Sequence, residues 1–156
     1  MTRLYGRAFS HERVDDYVPD VRFERTSIIG ALGLKGVIAP MSFKGTLNGE
    51  LFEYYVEQVL APVMSAGDVL VLDNLSAHKV KGVLDPLIAK GVTILFLPVY
   101  SPDFNPIELA WSKIKAYLRK VKARVLEDLY KAVSEALITI TLADVEGWVK
   151  HCGYGL

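Results

Sequence analysis

Two acidic residues stand out by where they fall in the chain. Asp73 closes the apolar run Asp68-Val69-Leu70-Val71-Leu72 and is followed by Asn74 and a polar turn. Glu108 comes just after Asn105-Pro106, with 34 residues between it and Asp73. A carboxylate at the C-terminal end of a buried strand points into the crevice where α/β sheets bind ligands. A second carboxylate, in the first turn of a neighbouring helix, can converge on that crevice. Together they offer the hard oxygen ligands that Mg²⁺ takes. Two such ions about 3.5–4 Å apart would clamp the attacking and leaving oxygens of a phosphodiester displacement. Taken singly, each acid has a plainer reading: Asp73 ends a strand in an Asx turn, and Glu108 favours the dipole of its helix. Their pairing makes them candidates for a metal site.

Lesser candidates surround them. His78, five residues beyond Asp73, can position a phosphate or an attacking water, and can equally be an ordinary histidine at a helix start. Glu108, Ser112, Lys115, Arg119 and Lys122 recur at helical spacing, which sets a carboxylate above a ladder of cations suited to DNA phosphates. A solvated helix face produces the same stripe. His11 and His151 have no carboxylate or cysteine at metal-ligand spacing, and there is no zinc pattern. Cys152 lacks a base partner in sequence. No Gly-rich phosphate loop or dinucleotide fingerprint is present.

The elements that must position these residues follow from periodicity. Residues 25–32 and 37–43 are β-like runs around the turn Gly33-Leu34-Lys35-Gly36, the pattern of an antiparallel hairpin. Asn48 is placed as an N-cap for a helix whose face is Leu51, Phe52, Tyr55, Val56, Val59, Leu60 and Val63, closed by Pro62 and Gly67. Residues 68–73 predict a strand buried on both faces. Ser76 is placed to cap a helix with Val80, Val83, Leu84, Leu87 and Ile88 inward, kinked or broken by Pro86. Residues 92–97 predict a second buried strand, joined to the first by a right-handed parallel crossover. Asn105-Pro106 opens a helix with Ile107, Trp111, Ile114, Leu118 and Val121 on its core face. A further helix spans residues 126–138, with Glu127 and Asp128 in its first turn, and a short terminal one residues 145–154. The alternation gives an α/β fold with a mixed sheet flanked by helices.

Composition agrees with one domain. The chain has 156 residues, 51% hydrophobic and 23% charged, enough to bury a core and too apolar for disorder. Lys+Arg and Asp+Glu both number 18, so any contact with DNA is local and not driven by net charge. The single Cys152 excludes an internal disulfide framework and fits a reducing cytoplasm. The chain has no apolar run long enough to span a bilayer, and its opening residues lack the apolar core of a signal peptide.

Two blocks carry a family resemblance. Val-Leu-Val-Leu-Asp-Asn-Leu-Ser-Ala-His-Lys, residues 69–79, is followed by Leu-Pro-Val-Tyr-Ser-Pro-Asp-Phe-Asn-Pro-Ile-Glu-Leu-Ala-Trp-Ser-Lys-Ile-Lys, residues 97–115. Together they resemble the mariner-like DDE transposases of bacterial insertion sequences, and the likeness extends over nearly the whole chain. It implies an RNase H-like fold, with Asp73 as the second and Glu108 as the third acidic ligand of a divalent metal site holding Mg²⁺ or Mn²⁺. It further implies nicking at element ends and attack of the freed 3′-hydroxyl on target DNA, often at a TA dinucleotide.

The sequence departs from that pattern at its start. The first aspartate of the family belongs on a strand upstream of Leu4-Tyr5-Gly6-Arg7-Ala8, so Asp15, Asp16 and Asp20 do not take its place, and no helix-turn-helix precedes it. The expectation is a single truncated domain over residues 1–156, with residues 1–23 as an irregular lead-in and the first, central strand absent. An N-terminal segment or a second chain would then fill that slot, as a homodimer or an assembly, and the isolated chain would cleave DNA weakly or not at all. Two other readings compete: a non-catalytic DNA-binding or assembly fragment of a transposase, and another RNase H-like nuclease such as a resolvase.

Overall fold

The computed structural model describes residues 25–123 and 125–155. The expected lead-in, with His11, Asp15, Asp16 and Asp20, lies outside them. The hairpin forms as anticipated, β1 (Thr26–Gly33) pairing antiparallel with β2 (Gly36–Lys44). Gly36 turns the chain at φ +132, where a side chain would be strained. Further along, Ile29 faces Met41 while Ala31 faces Ile38, so Ala39 and Pro40 together oppose Gly30 in a β-bulge. Ala39 takes φ +50 there, and Pro40, which has no N–H for a ladder, is tolerated.

Asn48 caps α1 (Gly49–Tyr55), its Oδ1 accepting from the Leu51 N–H at 2.8 Å. The helix then widens into a π turn (Val56–Leu60) and tightens into a 3₁₀ turn (Ala61–Val63). Pro62 has no N–H to give to the carbonyl four residues back, and the wider turn absorbs the loss: the Ala61 N–H bonds to the Val56 carbonyl, five back. Phe52, Tyr55, Val56 and Leu60 are all buried. They pack with Leu70 and Leu72 on one side and with Ile29, Ala31, Ala39 and Met41 of the hairpin on the other.

β3 (Val69–Leu72) and β4 (Thr93–Phe96) pair in parallel, as the strand-helix-strand reading requires. Both faces were expected to be buried, and this is corrected. Leu70 and Leu72 face the core, but Val69 is 54% and Val71 37% exposed, as are Leu95 and Phe96 to a similar degree. The reason is the placement of helices: α1 covers one face, while the C-terminal helices pack against the hairpin through Ile28, Leu32 and Val37. Antiparallel and parallel pairing are thus both present, in two two-stranded sheets with no hydrogen bonds between them among the described residues.

The helix expected after Ser76 is broken rather than kinked. A 3₁₀ turn (Ser76–Lys79), which Ser76 does not cap, is separated from α2 (Asp85–Ala89) by Gly82 at φ +83. Pro86 is the second residue of α2, where a missing N–H costs nothing. Val83, Leu84 and Leu87 reach the core, while Val80 and Ile88 are left exposed.

α3 (Pro106–Val121) starts at Asn105-Pro106, although the Asn105 side chain makes no capping bond. α4 (Leu126–Ile138) has the expected bounds. α5 (Leu142–His151) starts earlier than periodicity indicated, because Thr141 and Asp144 form a reciprocal capping box. Ala110, Ile114 and Leu118 of α3 meet Ala132, Val133 and Ala136 of α4 and Val145 of α5 in a second core. Among the described residues no helix is long and apolar enough to cross a membrane.

Lys113 clamps this second core from outside. Its Nζ donates to the Thr139 carbonyl at 2.9 Å and to Asp144 Oδ2 at 2.5 Å. The Lys113 hydrogen bond, followed by those from Thr141, lowers the Asp144 carboxyl from 3.8 to about 2. A depressed carboxyl stabilises the fold above its unfolded value, and that contribution is lost as pH falls through the folded value. The denaturation midpoint should therefore drop between about pH 4 and pH 2 more steeply in the wild type than in Asp144→Asn. Parallel curves for the two proteins in an acid titration would exclude this role.

Candidate active site

Asp73 lies one residue past β3, where the chain leaves the sheet. Asn74 anchors this exit by donating through Nδ2 to the Leu97 carbonyl, just past the end of β4. The Asp73 Oδ1 atom accepts from the Leu75 N–H at 3.0 Å, so the Asx turn of the plainer reading is real. The same Oδ1 stands 2.8 Å from His78 Nδ1. Both contacts use one oxygen. Among the described residues Oδ2 has no partner, and the side chain is 52% exposed.

His78 serves the carboxylate rather than solvent. Its side chain is only 12% exposed, and its ring packs on Phe52 with centroids 4.4 Å apart. The 3₁₀ turn places it there, because the His78 N–H bonds back to the Leu75 carbonyl. A phosphate-binding role was expected as one option; little of the imidazole is open to a phosphate.

Glu108 sits in the first turn of α3, its N–H bonded to the Asn105 carbonyl. Its carboxylate is exposed and has no ion pair or side-chain hydrogen bond among the described residues. Asp73, His78 and Glu108 line one groove of about 670 Å³ between β1 and β3. Lys115, Arg119 and Lys122 do not line it. Lys115 and Arg119 are exposed along α3, and Lys122 ends that helix in the left-handed conformation, φ +54.

As a donor set, the groove end suits a hard cation in part. Asp73 Oδ2 and the Glu108 carboxylate are unpartnered oxygens, of the kind a hard cation takes, on two residues that line the same groove. Among the described residues, however, no three His, Cys, Asp or Glu side chains gather closely enough to hold an ion by themselves. Sequence reasoning missed Tyr55, Trp111 and Asn105 as groove residues, since each reads as core or cap by spacing. Cys152 is buried, and burial, with Asp103 beside it, raises its thiol pKa.

A family model of DDE superfamily endonucleases matches residues 1–130. The chain belongs to the DDE superfamily endonucleases. This DDE domain is also similar in fold to a chain in the crystal structure of the Mos1 strand transfer complex, with a TM-score of 0.71 at 17% identity. The match covers 97% of this DDE domain and 46% of that chain, so the domain spans less than half of its structural relative. No curated protein sequence matches the DDE domain. Its mixed α/β architecture is RNase H-like, as the motif resemblance implied.

His78 supports Asp73 by a bond and Phe52 by packing, and these can be separated. His78→Phe should keep the ring contact and lose the bond, while His78→Ala loses both. In equilibrium unfolding, His78→Ala should be the less stable of the two by about 1–3 kcal/mol. Equal stabilities would show that the ring packing contributes nothing.

Proposed function

We propose that this DDE domain is the catalytic domain of a transposase of the mariner-like insertion-sequence type. In this reading Asp73 and Glu108 hold Mg²⁺, or Mn²⁺ in its place, for nicking and strand transfer on element-end and target DNA. One observation carries the reading: the two acids at the strand end and helix start of the family motifs line one groove, each with an oxygen that has no partner among the described residues. A bound divalent ion would polarise phosphodiester oxygens as a Lewis acid.

The chain's own residues do the positioning. Leu75 N–H and His78 occupy Oδ1 of Asp73, which turns Oδ2 outward as a single donor. Asn74 ties the strand end to β4, so the carboxylate rides on the sheet and not on a loose loop. Glu108 stands on the start of a 16-residue helix packed into the second core. Supports of this kind around a metal ligand raise affinity by fixing its orientation. The remaining ligands would be water, phosphate oxygens or a group outside the described residues. DNA as partner, assembly with further polypeptide and a cytoplasmic location belong to the same reading.

Manganese titration tests the ligands. Asp73→Asn and Glu108→Gln should each lower Mn²⁺ affinity by at least about tenfold, the lower end of what losing even an outer partner of a metal site costs. Wild-type affinity in both single variants would overturn the assignment.

The exposed cations of α3 are assigned to DNA phosphates. In the double variant Lys115→Ala/Arg119→Ala, the slope of log affinity against log salt should shrink by about 1.8, or about 0.9 per lost phosphate contact. An unchanged slope would mark them as an ordinary solvated face.

A further inference from the structure

The end of α5 reaches back to the start of α3, the helix that carries Glu108. Two polar contacts fix α5 along the first half of α3, one at each end. At its start, Asp144 takes the hydrogen bond from Lys113, midway along α3. Past its far end, Tyr154 Oη donates to the Phe104 carbonyl at 2.8 Å, across 50 residues of chain. Between these points Val145, Trp148 and Val149 pack into the second core. α5 therefore runs antiparallel to α3 and braces it from the middle back to its first turn.

The aim of Tyr154 is built in locally. Gly153 follows α5 at φ +87, a conformation that side chains rarely adopt. Its N–H bonds to the Lys150 carbonyl, and the Tyr154 N–H to the Val149 carbonyl, which is the Schellman arrangement. The chain is thereby turned back across the helix end. Cys152, one residue before the glycine, is buried with Asp103 beside it. Two neighbouring positions at the end of α5 thus meet two successive residues of the 3₁₀ turn (Pro102–Phe104) that leads into α3.

This turn needs an outside restraint. Asn105 is the residue placed to cap α3, but its side chain makes no capping bond, and Pro106 has no N–H to offer. The other end of the same connection is already pinned, since Asn74 donates to the Leu97 carbonyl. We infer that Tyr154 is a positioning residue for Glu108, a role that rests on the metal reading of that carboxylate. Its bond to Phe104 holds the turn before α3 and so fixes where the first turn of the helix presents its acid. The connection from β4 to α3 is then tied beside each acid, by Asn74 next to Asp73 and by Tyr154 near Glu108. Because the Tyr154 hydroxyl gives its proton to a carbonyl, it acts through the backbone and not as a ligand.

The test uses Tyr154→Phe, which keeps the ring and removes the bond, with two measurements on the full chain. Amide exchange in EDTA reads the turn without any metal. Exchange at Phe104, Asn105 and Glu108, whose N–H groups all bond within this stretch, should quicken about fivefold, the size of one net hydrogen bond. Amides of α4 should keep their wild-type rates, which a general loosening of the fold would not allow. Mn²⁺ titration then reads the carboxylate. Tyr154→Phe should lower affinity about fivefold in the wild-type and Asp73→Asn backgrounds. In Glu108→Gln it should change nothing, because no carboxylate remains to be placed. Unchanged exchange at the three amides would overturn the tether, and so would an equal affinity loss in the Glu108→Gln background. If wild type and Glu108→Gln bind Mn²⁺ alike, the metal reading fails and this role goes with it. Weak binding by Glu108→Gln beside normal binding by Tyr154→Phe leaves that reading standing and overturns the tether alone.

Discussion

The side chains of Phe52, Tyr55, Val56 and Leu60 pack at once against the hairpin and against β3, two pieces of sheet that no hydrogen bond joins among the described residues. Burial of each such side chain contributes about 1.5–3 kcal/mol, and here that energy also sets geometry. The helix acts as the common floor on which the two sheets are held apart at a fixed separation. Asp73 inherits its position from β3, and Glu108 from α3, whose Trp111 lies over Gly30 of the hairpin. The two acids therefore share one groove only as well as this one apolar contact keeps the sheets in place.

At the end of the groove, competing demands on one carboxylate are resolved by dividing its oxygens. An Asx turn and an imidazole could have consumed Asp73 entirely, which would have made it a structural residue. Both converge on Oδ1 instead. The turn that ends the strand and the histidine beside it thus act as an orienting clamp, and the second oxygen stays outward. Structural and chemical readings of the residue are in this case compatible, because they call on different atoms.

Much of this was legible in the sequence where local signals were strong. The hairpin, the Asn48 cap, the Asn105-Pro106 start and the bounds of α4 follow from caps, turn glycines and 3.6-residue spacing. Other features depended on which element covers which face. The run from Val69 to Leu72 reads as doubly buried, yet its outer side is open because the C-terminal helices pack on the hairpin. The segment after Ser76 reads as one helix by spacing, but Gly82 and Pro86 together favour a break, with Pro86 free to begin a new helix. The Thr141–Asp144 capping box is written in the sequence as Thr-x-x-Asp, but the apolar spacing of this segment is regular only from Val145 onward, so periodicity alone starts the helix late. Lys113 looked like any exposed lysine; its role rests on a contact with α5, 31 residues away, which spacing cannot reveal.

The bulge in β2 has a consequence for how the domain can change. Val37 and Met41 are four residues apart, and on a regular strand an even spacing puts both on one side. Here Val37 enters the core of α3, α4 and α5, and Met41 the core of α1. β1 already sends alternate side chains to the two interiors, Ile29 and Ala31 to one and Ile28 and Leu32 to the other; the extra residue at Ala39-Pro40 inverts the parity of β2 midway and so keeps Val37 opposite Leu32 and Met41 opposite Ile29. Insertions or deletions in the hairpin can then be absorbed only in even numbers on either side of that point. An odd change would exchange the two interiors' side chains, turning each half of the ribbon inside out relative to the helices it must meet.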